Sequence, residues 1–299
     1  MNHFLITGGE GFIGRNLARA LRKRGDKVFT LDISGNPDFR ISITDKRMIN
    51  QIGGEFDGIF HLASVTSPTE FERDAYTGVD VNINGTLNVL EYAKQTNVPK
   101  VVLASSSSIY TGISGEFPET FFSSRYANLY PITKLFNEYL SRYYLDRNEL
   151  NCISLRFFNT YGVDESSKIN TASVPYRFVR SALKCEPIII YGDGTQSRDF
   201  VYINDCVNGI IKAFENGRAG ETYNIGTGIS TSYNDLAKMI LKVTKSSSEI
   251  KYIGNPLKHY QYFTKCKTDK SERELNFKCS YTLETAIEEM FIEMSAYKE

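Results

Sequence analysis

His3-Phe4-Leu5-Ile6-Thr7-Gly8-Gly9-Glu10-Gly11-Phe12-Ile13-Gly14 opens the chain with an apolar run, a glycine-rich turn and the start of an amphipathic stretch. The run reads as a strand over 3–7 and the stretch as a helix over 12–24, so the glycines sit where a strand turns into a helix. Gly8 permits the tight turn, Gly11 lets the backbone approach a pyrophosphate, and Gly14 lets the helix pack close to the sheet. The helix N-terminus then offers unpaired N–H groups and a partial positive charge to the phosphates.

Working outward, the pattern repeats. Apolar runs at 27–32, 58–62, 100–105 and 151–156 alternate with helical patterns at 46–51, 76–95 and 130–146. Such alternation predicts an α/β fold with a doubly wound parallel sheet, which binds ligands at the carboxyl ends of its strands. The second half is more broken, with helices expected near 174–183, 205–215, 233–241 and 283–294. The expected division is a dinucleotide-binding domain over 1–160, with later returns near 188–216, and a smaller substrate-binding α/β region over 161–299.

Asp32 ends the second strand, at the distance where an acid holds the adenosine ribose hydroxyls. Its carboxylate repels a 2′-phosphate, and Ile33-Ser34-Gly35 supplies no arginine for one. NAD is therefore the expected cofactor. Lys plus Arg and Asp plus Glu are both 35, giving zero formal net charge. That balance argues against a nucleic-acid or membrane surface as partner and leaves any anion to a local cluster of donors. No apolar run approaches the ~20 residues of a membrane span. The five scattered cysteines read as reduced thiols in a soluble, cytoplasmic protein. His3, His61 and His259 form no HxxxH pair, so no metal site is expected. His61 reads as a packed residue at a strand end.

Tyr130 and Lys134 are four apart at the start of a helical pattern, which places them on one face. A free tyrosine has a pKa near ~10 and is a poor base at neutral pH; lowering it by about 3 corresponds to about 4 kcal/mol. A nearby ammonium and a positive nicotinamide ring both favour the phenolate, which then takes a proton from a substrate alcohol. Pro131 disfavours helical geometry at Tyr130, so Tyr130 is expected at the helix's first position or just outside it. Ser105-Ser106-Ser107-Ser108 ends the strand at 100–105, facing the ligand crevice, where a hydroxyl relays a proton or holds a sugar oxygen.

Together these residues resemble the NAD-dependent nucleotide-sugar epimerase/dehydratase branch of the extended short-chain dehydrogenase/reductases. The resemblance rests on TGGEGFIG at 7–14, HLAS at 61–64, NINGT at 82–86, SSSSIY at 105–110, YPITK at 130–134, LRFFNTYG at 155–162, YGDGTQSRDFVYIND at 191–205 and YNIGTG at 223–228. It implies a Rossmann-type fold with Ser106, Tyr130 and Lys134 as the catalytic set. It places Gly8, Gly11, Phe12, Ile13, Gly14, Asp32, Leu62, Ala63 and Asn82 on the cofactor, with Tyr130 and Lys134. Ser106, Ser107, Asn159, Val174, Tyr191 and Arg198 fall on the substrate, Arg198 and Asn159 at its diphosphate. It also implies a homodimer built through a four-helix bundle of the helices near 76–95 and 130–146.

The family's reactions diverge after the C4 alcohol of the sugar is oxidised. Family dehydratases carry an Asp-Glu pair where this chain has Ser107 and Ser108, and family decarboxylases carry a glutamate at the position of Ser108. The expectation is therefore a 4-epimerase of the UDP-glucose/UDP-galactose type, which oxidises C4 transiently to a 4-keto sugar and returns the hydrogen to the other face. Alternatives are a 4-ketoreductase, a dehydrogenase of a steroid or small hydroxy compound, and a non-catalytic NAD-binding regulator. One departure touches the sugar. Where family epimerases have a second phosphate-binding arginine, Asn255-Pro256-Leu257-Lys258-His259 has none, leaving Lys258 or His259 as substitutes, and Lys267 stands where an acid is usual.

Overall fold

The structure, a computed structural model, describes residues 1–66, 68–112, 115–165, 172–256 and 261–296. Strands β1 (His3–Thr7), β2 (Lys27–Asp32), β3 (Phe39–Arg40), β4 (Gly58–His61), β5 (Lys100–Ser106) and β6 (Asn151–Phe157) lie in the first half. β7 (Asn159–Tyr161), β8 (Ile188–Tyr191), β9 (Ser197–Tyr202), β10 (Thr222–Ile225), β11 (Ser230–Ser232) and β12 (Ile250–Ile253) follow. The helices are α1 (Phe12–Lys23), α2 (Lys46–Ile49), α3 (Pro68–Arg73), α4 (Ala75–Val79), α5 (Thr86–Gln95) and α6 (Leu129–Asn148). After them come α7 (Val174–Leu183), α8 (Ile203–Asn216), α9 (Tyr233–Thr244), α10 (Asp269–Leu275) and α11 (Leu283–Ala296).

The main sheet is seven-stranded and parallel, in the order β10-β6-β5-β4-β1-β2-β3. It is a Rossmann-type, doubly wound sheet. Its strands are buried on both faces, which is why they read as unbroken apolar runs. Successive side chains alternate between two cores. Phe4, Ile6, Phe60 and Val102 enter the core beneath α1 and α8, while Leu5, Ile59, Val101 and Leu103 enter the one beneath α5 and α6. The smaller sheets, β11-β9-β7 and β12-β8, build the other half.

The sheet does not stop at residue 160. Its seventh strand is β10, beyond the stretch at 188–216, and within that stretch α8 packs on the main sheet whereas β8 and β9 belong to the small sheets. Four residues give no period to read, so Thr222–Ile225 escaped strand assignment. The helix expected unbroken over 76–95 is α4 and α5 joined by a π-helical turn, Asp80–Gly85, which carries Asn82. All five cysteines are free thiols. Among the described residues no helix is long and apolar enough to cross a membrane, and no His, Cys, Asp and Glu group is arranged to hold a metal ion.

Candidate active site

A cavity of about 870 Å³ runs along the carboxyl ends of β1, β2, β4 and β5, at the upper end of the usual range for small-molecule sites. At one end lies the glycine turn. Gly8 has φ +70°, and a Cβ there would meet the Ala63 backbone nitrogen at 2.6 Å. A Cβ on Gly14 would run into the Gly8 carbonyl oxygen, so Gly14 lets α1 close on the turn itself rather than on the sheet. Gly11 lines the cavity, and a Cβ there would meet the Gly8 carbonyl oxygen at 3.1 Å. Asp45, Asp74, Ser173 and Ser232 cap α2, α4, α7 and α9 with side-chain oxygens, but no side chain caps α1 and its first turn holds no acid. An uncapped helix start beside a glycine backbone that carries no side chain is what a diphosphate requires.

Asp32 also lines the cavity. Its Oδ1 accepts from the N–H groups of Ile33 and Ser34 at 2.7 and 3.1 Å, and its Oδ2 from Glu10 N–H at 3.0 Å. These bonds fix the carboxylate while Oδ2 keeps room for a ribose hydroxyl. The residues present thus fit a dinucleotide. Arg15, Ser42 and Ile43 line the cavity as well and were missed, as was Arg40, which donates to the Ile33 and Gly35 carbonyls beside the ribose end. A two-residue β3 carries too little pattern to reveal that approach.

The cavity wall at Leu62, Ala63 and Ser64 is held from behind. His61 is fully buried, with Nδ1 2.7 Å from Thr7 Oγ1 and Nε2 2.9 Å from Thr86 Oγ1. Thr86 gives its own proton to the Asn82 carbonyl, so it accepts from His61 Nε2–H, and Thr7 donates to Nδ1. Thr7 Oγ1 in turn accepts from Ala63 N–H at 3.3 Å. Burial, helped by the Lys134 charge, holds the imidazole neutral, with its pKa lowered to about 3. Asn82 acts from the same side. Its Oδ1 accepts from Ser64 Oγ and Val65 N–H and its Nδ2 donates to Val65 O and Thr133 Oγ1, so it positions the wall rather than lining the cavity.

At the other end Ser106, Tyr130 and Lys134 come together, all lining the cavity. Asn128 caps α6 by accepting from Tyr130 N–H at 3.1 Å, so Leu129 is the first helical residue and Tyr130 the second. Tyr130 is therefore inside the helix, not at or before its first position. Pro131 is tolerated because a first-turn N–H has no intrahelical partner to lose. Lys134 Nζ sits 5.8 Å from the Tyr130 ring centroid and donates to Ala104 O at 3.0 Å. Ser106 accepts from Ser108 N–H at 3.1 Å. Burial raises the Tyr130 pKa, opposed by the Ser106 hydroxyl beside the phenol, and lowers Lys134 to about 7. In the protein alone, desolvation thus outweighs the expected push towards phenolate.

A second polar group fixes this corner. Arg156 forms a buried two-pronged pair with Glu138, at 2.9 and 2.7 Å, and Glu138 accepts from Ser105 Oγ at 2.5 Å. Arg156 also donates to Tyr110 OH, which donates to Asn224 on β10. The signal missed was Glu138, one helical turn beyond Lys134.

The substrate side is less assembled. Among Ser106, Ser107, Asn159, Val174, Tyr191 and Arg198, only Ser106 lines the large cavity. Ser107 is buried. Asn159 Nδ2 donates to Asp199 O and Thr264 Oγ1, both at 3.0 Å. Arg198 is buried over the Tyr233 ring and donates to Ser197 O. Val174 opens α7 and Tyr191 ends β8. Lys258 and His259, the expected substitutes for the second arginine, lie outside the described residues. Lys267 faces Asp269 at 3.5 Å, outside this cavity.

Residues 4–226 match the family described as the NAD dependent epimerase/dehydratase family, and the cofactor is NAD. A UDP-N-acetyl-alpha-D-glucosaminuronate decarboxylase of Bacillus cytotoxicus is 33% identical over 267 residues, 83% of this chain and 82% of that protein. A UDP-glucuronate 4-epimerase of Thermodesulfobacterium geofontis is 30% identical over 277 residues, 85% of this chain and 84% of that protein. The solved UDP-glucose 4-epimerase of Thermotoga maritima, in complex with UDP-glucose, is similar with a TM-score of 0.93 at 26% identity, covering 99% of this chain and 100% of that one.

Proposed function

The chain belongs to the NAD dependent epimerase/dehydratase family, and we propose that within it the protein is a nucleotide-sugar 4-epimerase of the UDP-glucose/UDP-galactose type. Membership alone does not choose the reaction, since decarboxylases stand among the relatives. The observation that carries the choice is the lack of an acid at the reacting end among the described residues. Of the described residues lining the cavity, the only carboxylates are Glu10 and Asp32, both at the glycine turn. Ser107 and Ser108 stand where a dehydratase or decarboxylase of this family is expected to carry its acids.

Held along the cavity by the glycine turn and Asp32, NAD would supply a hydride acceptor and donor and a positive charge that favours the phenolate. Tyr130 takes the proton of the C4 hydroxyl, and Ser106, held by Ser108 N–H, hydrogen-bonds the same oxygen. Lys134 holds charge beside the phenol. Ala63, held by Thr7 beside His61, and Ser64 and Val65, held by Asn82, keep the cofactor wall in place. After the sugar presents its other face, Tyr130 returns the proton. Arg198 and Asn159 are assigned to the substrate's diphosphate, since a guanidinium fork suits phosphate oxygens. Incubating the protein with UDP-galactose and no added cofactor is expected to yield UDP-glucose. Carbon dioxide from UDP-glucuronate, or turnover only with a 4-keto sugar and reduced cofactor, would replace this reading.

We also infer a homodimer. On α6, Leu129, Ile132, Phe136, Tyr139 and Tyr143 are exposed at alternating spacings of three and four, a helical seam on the face away from Tyr130 and Lys134. Leu87 of α5 is exposed as well. Light scattering is expected to give twice the chain mass, and Phe136→Glu the monomer; a monomeric wild type would contradict the inference.

A further inference from the structure

Arg15 stands in the second turn of α1 and lines the cofactor cavity. Helical side chains lean towards the N-terminus, so this one reaches back over the glycine turn. Its Nη1 donates to Glu10 O at 2.7 Å, inside the turn, and its Nη2 to Asp164 O at 3.0 Å. The second contact crosses to the segment that leads into the other half of the molecule. That segment is pinned in its turn. Arg19 pairs with the Asp164 carboxylate at 3.0 Å, and the Glu165 carboxylate accepts from Gly162 N–H, Ser173 N–H and Ser173 Oγ. Ser173 caps α7. Among the described residues, only two of the guanidinium's N–H donors are spent in this way, both on neutral carbonyls, and no carboxylate pairs with its charge. The side chain nevertheless borders a cavity built for a diphosphate.

We propose that Arg15 is a clamp on the diphosphate of the cofactor, and that the same side chain ties the glycine turn to the loop at Asp164. One face of the fork holds the two carbonyls, and its remaining donors meet phosphate oxygens above the uncapped start of α1. A guanidinium suits both tasks because its donors are planar and fixed, whereas a lysine ammonium would serve the charge without the bridge. This assignment rests on NAD as cofactor and is independent of which sugar reaction follows.

The test is NAD affinity, measured by calorimetric titration of the full chain stripped of cofactor, at low and at high salt. Arg15→Met keeps most of the stem and removes the charge. It is expected to weaken NAD about tenfold or more at low salt, with a smaller difference at high salt, because the lost contact is ionic. Arg15→Lys is expected to fall between the two. An unchanged affinity in Arg15→Met overturns the clamp. So does a loss that is the same at both salt concentrations and equal in Arg15→Lys, which would mark a purely structural bridge. Should Arg15→Met fail to fold, Arg15→Gln, which also removes the charge, is measured in its place at the two salts: an unchanged affinity, or a deficit that does not change with salt, overturns the clamp.

Discussion

The cofactor end and the substrate half of this molecule are built differently. At the cofactor end almost every polar group has a backbone or side-chain partner in place: Asp32 with three N–H groups, His61 between two threonines, and Asn82 across Ser64 and Val65. Asn159, Val174, Tyr191 and Arg198, by contrast, sit on several small elements and do not share the large cavity. On the proposed reading, NAD would meet one continuous surface, whereas the sugar nucleotide would meet residues drawn from separate segments. A preorganised cofactor site suits the proposed reaction, in which NAD stays bound through the cycle.

The comparison can be broken most sharply at Tyr130. Tyr130→Phe removes the proton acceptor and leaves the ring packed, so turnover is expected to fall by about a thousandfold or more, with NAD affinity nearly unchanged by titration. Next comes Glu138→Gln, which strands Arg156 in a buried site. Breaking one side of a buried pair costs about 3–5 kcal/mol, read as a loss in denaturant-unfolding stability larger than that of Tyr130→Phe. On the substrate side, Arg198→Ala is expected to raise the KM for UDP-galactose by about tenfold, the cost of one charge-assisted contact, with NAD affinity unchanged. Intact KM would detach Arg198 from the substrate and favour a small hydroxy compound instead.

The smallest effect concerns pH. Native His61 stays neutral down to about pH 3, while an unfolded histidine protonates near 6.5. Between those values the unfolded state binds the extra proton, so this residue's contribution to stability falls as the pH falls through that window. The melting temperature of wild type should therefore drop more steeply from pH 6.5 to 4 than that of His61→Gln. Parallel curves would mean that His61 is not held neutral.

The two ends also differ in how far the sequence discloses them. β1, its glycine turn and α1 follow from residues adjacent in the chain, and the Tyr130–Lys134 pair from one helical turn. Asp32 needed only the rule that ligands gather at strand ends, and Ala63 came from the resemblance carried by its motif. What stayed hidden depends on contacts between distant segments: Arg15 reaching Asp164, Arg156 joining Glu138 to Tyr110, and β10 completing the sheet. The state of the phenol in the protein without cofactor stayed hidden for a related reason. Spacing gave the ammonium beside Tyr130, but the burial that raises its pKa comes from neighbours such as Phe71, which packs on its ring. Asn82 was found by its motif, yet its task of holding the Ser64–Val65 wall through the π-helical turn is not encoded in helical period.

The most direct test of the account follows the hydrogen at C4. UDP-galactose carrying deuterium at that carbon, incubated with the protein and an excess of unlabelled NADH, is expected to give UDP-glucose with the deuterium retained at C4. Loss of the label to the cofactor pool, or a product that forms with release of water, would contradict a bound-cofactor epimerase.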